Sequence, residues 1–344
     1  MNTEIFKLNP DAPDTEALSR CAEIIRQGGL VAFPTETVYG LGADATDKNG
    51  ARKIYEAKGR PSDNPLIIHI ATPEDAEDYA FTSNTYYALA KAFMPGPLTV
   101  ILPKKDTIPR EVTGGLDTVA VRCPSHEIAR ELIRRAGTPI AAPSANISGS
   151  PSPTSAKHVI NDMSGKIDAI IDGGECEIGL ESTIIKLEGD RAILLRPGAI
   201  TADALGCVCE RVDISPAVTE GLAKDERPLS PGMKYKHYAP SSPLVLLDGE
   251  EGKVSEFLVN AAKNENCAIL CYTEEIDNLK GAKLIDIGAR LDLASQGQRL
   301  FGALRQADTL KADIIYAHLP SQDGLGLALY NRMIRAAAHT VKKI

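Results

Sequence analysis

The 344-residue chain contains no Trp, and its aromatic residues make up only 5% of the sequence. Its cores must therefore be built mainly from Val, Ile, Leu and Ala. No apolar run approaches the roughly 20 residues that a membrane-spanning helix requires. The N-terminus also lacks the basic and then apolar pattern of a signal peptide. These absences predict a cytoplasmic protein without a membrane segment.

Several nucleotide- and metal-binding motifs are missing as well. The sequence has no GxxxxGKS/T P-loop, no HExxH zinc motif, no GxSxG motif and no protein-kinase motif set. Its seven Cys are scattered, and neither Cys207-x-Cys209 nor Cys267-x-x-x-Cys271 has the spacing of zinc ligands. We expect reduced structural thiols, no metal site built by the protein itself, and a scaffold other than a P-loop for any reaction of ATP.

The net charge of −8 is unevenly distributed along the chain. Residues 1–220 hold 22 Lys and Arg against 31 Asp and Glu, whereas residues 221–344 hold 16 against 15. An acidic first part argues against nucleic-acid binding through bulk electrostatics. An anion site in such a part needs locally gathered cations, so clustered Lys and Arg residues there are candidate ligand contacts.

Length and patterning predict two domains joined by a linker. Over residues 1–212, short apolar strands mix irregularly with amphipathic helices, which is typical of an α+β domain with a mixed sheet. Residues 213–243 are rich in Pro and form the predicted linker. Over residues 244–344, strands and helices alternate regularly, which predicts a small α/β domain with a parallel sheet.

The apolar periodicities also predict individual elements. In the first domain we predict strands over 30–33, 66–70, 98–102, 118–122, 167–171, 182–187 and 192–195, with helices over 15–27, 48–57, 73–80, 84–93, 125–136 and 154–163. Thr154 is the predicted N-cap of the last helix. In the second domain we predict strands over 244–247, 267–272, 283–287 and 314–317, with helices over 252–264, 293–310 and 324–338.

The segment Pro34-Thr-Glu-Thr-Val-Tyr-Gly-Leu-Gly-Ala43 follows the first buried strand and has three interpretations. Its Gly-x-Gly spacing superficially matches a dinucleotide fingerprint, but a βαβ unit with a following acidic residue is not evident. It could form a tight turn that needs Gly at positive φ. It could also form a ligand wall lined by the hydroxyls of Thr35 and Thr37.

The next segment, Lys58-Gly-Arg60-Pro-Ser-Asp-Asn64-Pro, places two cations around a Gly just after a predicted helix. Its prolines stiffen the chain. A cation pair on a rigid turn suits a polyphosphate, because Lys offers a point charge and Arg offers a forked donor. A solvated turn is the alternative. His69 follows inside an apolar strand, where a histidine is by itself more typical of a core.

Two further segments carry candidate ligand contacts. In the strand over 118–122, Thr118 and Arg122 share one face, and a buried Arg needs an anionic partner. That partner could be a structural acidic side chain or a ligand carboxylate. The small residues over 142–155 lead into a helix, which favours anion binding by backbone N–H groups, although the segment could also be a simple loop.

Taken together, the motifs resemble one family. FPTETVYGLGADA, KGRPSDNPL, PGPLTVIL, PSANISG, ESTIIKL and LRPG, in this order, are similar to the YrdC domain of threonylcarbamoyl-AMP synthases over about residues 10–205. SPGMKYKHYAP and the second domain resemble the long form of that family. The resemblance implies an α/β fold, in which a YrdC domain with a twisted mixed sheet and a large concave cavity is joined to a small Rossmann-like domain.

The resemblance also implies an activity and a site. The reaction makes threonylcarbamoyl-AMP and pyrophosphate from L-threonine, bicarbonate and ATP, with Mg2+ bound through the phosphates. The implied catalytic residues are Lys58 and Arg60. The implied ATP contacts are Lys58, Arg60, Asn64, Thr118, Ser144, Ser152, Arg196, Lys234, Tyr235 and His237. The implied threonine contacts are Thr35, His69, Arg122, Ala142 and Ser182.

Expected partners follow from the same resemblance. A downstream threonylcarbamoyl transferase complex would modify tRNA next to the anticodon. The resemblance also leaves open a weak tRNA or RNA contact of the chain itself, and we expect a monomer. The residues around Lys234 predict that the linker closes over the site as a lid, the alternative being a passive tether. Two other functions stay open: an RNA-binding YrdC-like module, and a carbamoyltransferase of the hydrogenase-maturation type, which would need zinc modules that this sequence lacks.

Overall fold

The computed structural model describes residues 2–220, 228–229, 238–279 and 281–344. Its chain divides into two compact units. Residues within 1–148, 152–177 and 181–234 form the first, and residues within 149–151, 178–180 and 235–344 form the second. Every helix among the described residues is too short or too polar to cross a membrane.

The first unit contains eleven strands and six α-helices among its described residues. The strands are β1 (Glu4–Lys7), β2 (Val31–Phe33), β3 (Gly40–Asp44), β4 (Ile67–His69), β5 (Leu98–Pro103), β6 (Thr118–Arg122), β7 (Ile140–Ala142), β8 (Ala169–Asp172), β9 (Thr183–Glu188), β10 (Arg191–Arg196) and β11 (Arg211–Ile214). The helices are α1 (Thr15–Arg26), α2 (Lys48–Lys58), α3 (Asn84–Phe93), α4 (Glu127–Ala136), α5 (Ala156–Met163) and α6 (Ala202–Gly206).

All eleven strands belong to one sheet in the order β1-β8-β2-β3-β7-β4-β6-β5-β9-β10-β11. Parallel and antiparallel pairs both occur: β4 is parallel to β6, and β5 is antiparallel to β6. The predicted mixed sheet is therefore confirmed. Strands β4, β6 and β5 lie near its centre, where side chains on both faces are buried.

One face of the sheet is covered by α1 and α4, which pack together against β2 and β8. Both helices place apolar residues at helical spacing, including Leu18 and Ile25 in α1 and Ile128 and Leu132 in α4, and all four are buried. These contacts fix the end of β2, which leads directly into the segment that begins at Pro34.

Most predicted elements are confirmed within a few residues, and the differences have identifiable causes. Residues Pro73–Asp78 form a 3-10 helix instead of an α-helix. The N-cap of α5 is Ser155 and not Thr154, and its side chain makes no capping hydrogen bond. The strands and the α-helix that the sequence analysis missed are all short, which leaves little periodicity to recognise: β1, β3, β7, β11 and α6 in the first unit and the strand Val341–Lys343 in the second.

The segment around Gly40 and Gly42 is a strand, so its interpretation as a tight turn with Gly at positive φ is wrong. Neither residue has positive φ. A Cβ atom on Gly42 would lie 2.6 Å from Ile140 Cγ2 and 2.8 Å from a ring carbon of Phe33. Glycine is required here because the neighbouring side chains approach the backbone too closely for a larger residue.

Strand β11 pairs in parallel with β10, and the following Ala217 and Val218 are buried. The first unit therefore continues past residue 212, the predicted end of the first domain. The Pro-rich composition placed the boundary too early because it gives no sign of the short strand Arg211–Ile214. Most of the later part of the predicted linker, including Lys234, Tyr235 and His237, lies outside the described residues.

The second unit is a five-stranded parallel sheet with helices, which confirms the predicted parallel α/β domain. Its strand order is β14-β13-β15-β12-β16. Its elements are β12 (Leu244–Asp248), α7 (Glu251–Asn264), β13 (Cys267–Cys271), β14 (Lys283–Asp286), α8 (Leu293–Thr309), β15 (Ile314–His318), α9 (Gly326–Ala336) and β16 (Val341–Lys343). The core around β12, β13 and α7 is mostly aliphatic, as the low aromatic content predicts, and it also contains Tyr316 and the partly buried Phe257.

Candidate active site

A row of polar side chains crosses the centre of the first unit's sheet. The register pairs His69 of β4 with Arg122 of β6, and Arg122 with Thr99 of β5. Residues paired in register project from the same face of a sheet, so these three side chains are neighbours. All three are buried. The predicted alternation of β6 is thus confirmed: Arg122 leaves the same face as Ala120, among residues of the sheet core.

The anionic partner that a buried Arg122 requires is Glu36. Arg122 Nη2 donates to Glu36 Oε1 at 2.7 Å, and the two side chains are only 5% and 4% exposed. Glu36 follows β2 by three residues, so the end of that strand brings the carboxylate to the row. The other carboxylate oxygen, Oε2, and the guanidinium Nε are buried and have no hydrogen-bond partner among the described residues.

His69 is neutral in this environment. Burial, together with the charge of Arg122, lowers the pKa of His69 from its ordinary value near 6.5 to about 3. Its Nδ1 atom lies 3.3 Å from the Ile140 carbonyl oxygen, which can only accept a hydrogen bond. The neutral ring therefore carries its proton on Nδ1 and presents Nε2 as an acceptor. Phe33 contacts the ring edge-to-face, with the centroids 5.8 Å apart.

Ser182 connects the row to a second arginine. Its hydroxyl lies 2.7 Å from that of Thr99, and it accepts a hydrogen bond from Arg196 Nη2 at 3.1 Å. Arg196 Nε also donates to the Ser182 carbonyl at 3.0 Å. Arg196 ends β10 and is 7% exposed. The hydroxyl pair of Thr99 and Ser182 thus extends from Arg196 to the strand that lies next to Arg122.

Thr35 lies beside Glu36 and is held by its own backbone. Its hydroxyl donates to the Val38 carbonyl at 2.6 Å, accepts from the N–H groups of Thr37 and Val38, and lies 2.9 Å from the Thr37 hydroxyl. The hydroxyls thus stabilise the turn after β2, which fixes the position of the Glu36 side chain between them. Ala142, the last predicted threonine contact, is buried at the end of β7 and pairs in register with Ile67.

Lys58 connects two segments of the first unit: residues 58–65, named here the cation segment, and residues 142–155, named here the Ser-rich loop. Helix α2 ends at Lys58, and Gly59 follows in the left-handed conformation that commonly terminates helices. The ammonium donates to the carbonyls of Ser144 and Asn146 at 2.6 and 2.5 Å and lies 3.3 Å from Asn146 Oδ1. Lys58 is 2% exposed. Its charge is therefore fixed beside a loop of small residues and also satisfies that loop's carbonyls.

Arg60 and Asn64 form the other end of the cation segment. Arg60 Nε and Nη2 donate to the carbonyls of Asn64 and Pro65 at 3.4 and 3.3 Å. Arg60 and Asn64 are both buried, at 9% and 2% exposed. The amide oxygen of Asn64 is buried without a hydrogen-bond partner among the described residues. A buried acceptor in this condition costs free energy unless a ligand or water donates to it.

Two of the remaining predicted ATP contacts differ in their surroundings. Ser152 is 1% exposed, and its hydroxyl donates to Glu181 Oε1 at 2.5 Å. Thr118 is partly exposed and begins β6, whereas Arg122 ends it, so the two lie about 13 Å apart along the strand. The structure therefore does not bring Thr118 to the polar row.

Sequence reasoning missed four polar residues at the site: Glu36, Thr99, Asn146 and Glu181. For Glu36 a signal existed. Arg122 called for a buried anion, and Glu36 is the only acidic residue in the motif over 34–43. The other three lie in strands or loops whose composition gives no indication of a side-chain contact.

Among the described residues, no group of three or more His, Cys, Asp or Glu side chains could hold a metal ion. All seven Cys are free thiols, and only Cys207 is exposed. Burial, and next the negative charge of Glu36, raise the pKa of the Cys176 thiol well above its usual range, so this thiol stays protonated.

Comparison with known proteins accounts for both units. A family model of the Sua5, YciO and YrdC proteins, described as telomere recombination, matches residues 23–198. A second model, described as the C-terminal domain of threonylcarbamoyl-AMP synthase, matches residues 200–338. Threonylcarbamoyl-AMP synthases from Pyrococcus abyssi and Bacillus subtilis are 47% and 43% identical over 327 residues, which are 94% of this chain and of each relative.

Solved structures agree with the sequence matches. A crystal structure of Pyrococcus abyssi Sua5 complexed with L-threonine superposes with a TM-score of 0.90 at 43% identity, covering 99% of this chain and all of that one. Escherichia coli YciO superposes with a TM-score of 0.52 at 27% identity, covering 57% of this chain and 96% of its own. The chain belongs to the threonylcarbamoyl-AMP synthase family, in the form that carries the additional C-terminal domain.

Proposed function

We propose that the chain catalyses the synthesis of threonylcarbamoyl-AMP and pyrophosphate from L-threonine, bicarbonate and ATP. Family membership supports this activity, and so does the similarity to a Sua5 structure that contains L-threonine. The observation that carries the proposal is the polar row itself: a buried guanidinium, Arg122, lies in register with the neutral His69 on a face otherwise filled by the sheet core.

The polar row suits an amino-acid substrate. Arg122 would bind the threonine carboxylate, because a guanidinium and a carboxylate form short, charge-assisted hydrogen bonds. His69 Nε2 would accept a hydrogen bond from the substrate. Thr35, Ala142 and Ser182, all three buried, would surround the remainder of the amino acid.

The cation segment and the Ser-rich loop suit the nucleotide. Lys58 and Arg60 would neutralise phosphate charge, and the unpaired Asn64 oxygen would accept a hydrogen bond from the nucleotide. The hydroxyl-bearing and cationic residues Ser144, Ser152, Arg196 and Thr118 would complete the ATP contacts, together with Lys234, Tyr235 and His237 of the proposed lid. Lys58 and Arg60 are the proposed catalytic residues, acting on charge that develops as pyrophosphate departs.

The chemistry needs positioning and charge neutralisation more than it needs an acid or a base. The threonine amine and bicarbonate give a carbamate and water, and a carbamate oxygen then displaces pyrophosphate from the α-phosphorus of ATP. Mg2+ would supply further charge neutralisation at the phosphates. The described residues offer no cluster of ligands for it, so phosphate oxygens and water would provide most of its coordination.

The product is a reactive mixed anhydride. We infer that a downstream threonylcarbamoyl transferase complex uses it to modify a tRNA adenosine next to the anticodon. We also propose that the enzyme is cytoplasmic and monomeric. The lid, in the part of residues 213–243 that follows the buried Val218, would exclude water from this anhydride. The acidic balance of residues 1–220 gives no support to the alternative of a dedicated RNA-binding module.

The direct test is pyrophosphate release from ATP by the purified chain. We expect release only when L-threonine, bicarbonate and Mg2+ are all present, together with a nucleotide product that carries the threonine carbon skeleton. Omission of threonine is the matched control. Release that is unchanged without threonine, or no release with all substrates present, would mean that the proposed reaction is wrong.

A further inference from the structure

The buried ion pair between Glu36 and Arg122 is incomplete on both sides. A carboxylate and a guanidinium can form two parallel hydrogen bonds, yet these groups share a single one, from Nη2 to Oε1. Oε2 and Nε are left without partners among the described residues, although both side chains are more than nine-tenths buried. Leaving buried charged groups in this state is costly, so a protein rarely retains it without a use.

The two unpaired atoms have opposite requirements. Glu36 Oε2 carries negative charge and can only accept a hydrogen bond, whereas Arg122 Nε carries positive charge and can only donate one. Oε2 is two bonds away from Oε1, and Nε is two bonds away from Nη2, so one small head group can reach both unpaired atoms. A phosphate would satisfy Arg122 and repel Glu36, and a simple amine would do the reverse. An α-amino acid carries both complementary groups, an ammonium and a carboxylate.

We propose that Glu36 binds the α-ammonium group of the amino-acid substrate and selects for it, while Arg122 binds the carboxylate. This inference rests on the proposed function, because it assigns the amine subsite of the same threonine site. The nitrogen held by Glu36 is the atom that must react with bicarbonate, and it first loses one proton to water, because only the neutral amine has the lone pair that forms the carbamate. Glu36 is therefore a specificity-determining residue that holds this nitrogen in place.

The neighbours of Glu36 are consistent with a site for an ammonium group. The ring of His69, on the strand next to Arg122, is neutral and offers Nε2 as a further acceptor. Thr35 and Thr37 on either side of Glu36 fix its backbone through hydroxyl hydrogen bonds. A site that is built to pair with a donor discriminates strongly against an analogue lacking it, because the buried acceptor is then left unpaired.

The experiment compares two ligands by calorimetry on the full chain. One is L-threonine, and the other is 2,3-dihydroxybutanoate of matching configuration, in which a hydroxyl replaces the α-ammonium. We expect the unsubstituted chain to bind L-threonine at least about tenfold more tightly. Glu36→Gln should reduce this preference to less than about threefold. Arg122→Gln, the matched control, should weaken both ligands and keep the preference, because both carry the carboxylate.

The alternative is that Glu36 only holds Arg122 in place. In that case Glu36→Gln would weaken both ligands by similar factors and leave the preference intact, and the proposal would be overturned. If Glu36→Gln does not fold, Glu36→Asp is the second variant: it keeps the negative charge, but its shorter side chain places the carboxylate farther from the substrate nitrogen. Glu36→Asp should also lower the preference for L-threonine, and an undiminished preference again overturns the proposal. If the unsubstituted chain does not bind L-threonine at all, the proposed function itself fails, which is a different result.

Discussion

His69 and Arg122 are direct partners across two parallel strands, and this pairing places an imidazole beside a permanent cation in the interior of the sheet. Both burial and the neighbouring charge disfavour protonation of the imidazole, so the pKa of His69 falls to about 3. The pairing therefore has a consequence for the stability of the fold at acid pH, independent of any substrate.

The free energy of unfolding should fall as the pH drops below 6.5. In the unfolded chain His69 takes up a proton near its ordinary pKa, whereas in the folded chain it does not until about pH 3. The unfolded state thus binds the extra proton, and stability decreases by about 1.4 kcal/mol per pH unit from this group alone. His69→Asn should remove that slope between pH 6.5 and 5 in urea unfolding experiments.

The control for this prediction is His339→Asn. His339 is exposed and has positive φ, which Asn tolerates well, so its replacement should change the free energy of unfolding at neutral pH by less than about 0.5 kcal/mol. Equal slopes for the unsubstituted chain and His69→Asn would show that His69 titrates in the folded state as it does in the unfolded one.

Arg122 illustrates how much of the site the sequence determines locally. Alternation within β6 is sufficient to place Arg122 on the core face and to require an anionic partner, because both conclusions depend on neighbouring residues and on the cost of burying a charge. The identity of the partner depends on tertiary structure. Glu36 lies 86 positions away, and only the sheet order, in which β2 and β6 are brought into one layer, decides that it makes the contact.

The same distinction explains the outcome for the fold. Long periodic elements such as α1 and α4 were predictable because their apolar faces repeat over several turns. Strand β3 was not, because its Gly residues usually indicate a turn. Glycine is needed in this strand because the side chains of Phe33 and Ile140 approach its backbone closely, which is visible only when three strands are assembled. Lys58 was identified as a cation for ligands, but its hydrogen bonds to a distant loop could not be read from its own segment.

Arg122→Ala should raise the KM for threonine by at least about tenfold and change the KM for ATP by less than about threefold. The reason is that Arg122 lies in the polar row and not among the cation segment that suits phosphates. Steady-state pyrophosphate release measures both values. Because the substitution leaves Glu36 buried without its partner, we also expect a stability loss of about 3–5 kcal/mol. A larger effect on the KM for ATP than on that for threonine would show that Arg122 does not bind the carboxylate.

Lys58→Met should destabilise the fold even in the absence of ATP. The ammonium satisfies carbonyl oxygens of Ser144 and Asn146, and leaving such buried acceptors unpaired costs about 1–3 kcal/mol each. We expect the free energy of unfolding in urea to fall by at least about 2 kcal/mol. Lys48→Met, at the exposed start of the same helix, is the matched control and should change it by less than about 0.5 kcal/mol. Equal effects of the two substitutions would mean that Lys58 has no structural role.

Gly42→Ala should destabilise the first unit by about 1–3 kcal/mol. The added methyl group would lie 2.6 Å from Ile140 Cγ2 and 2.8 Å from the Phe33 ring, so the strands must shift. Gly206→Ala, at the end of α6, is the matched control: no atom lies within 4 Å of its added Cβ, and Ala favours the helix, so stability should be unchanged or slightly higher. Unfolding free energies of the two variants give the comparison. A fully stable Gly42→Ala variant would show that close packing does not explain the glycine.

Deleting residues 230–344 should abolish threonylcarbamoyl-AMP synthesis and leave a folded first unit. The first unit has its own sheet and its own aliphatic core, and YciO, which matches little more than half of this chain, folds without a counterpart to the rest. The deletion removes the proposed lid residues Lys234, Tyr235 and His237, so phosphate contacts and the exclusion of water are both lost. Cooperative thermal unfolding together with loss of pyrophosphate release is the expected result. A folded fragment that keeps full activity would show that the segment serves as a tether and that the residues of the polar row and the cation segment suffice for the reaction.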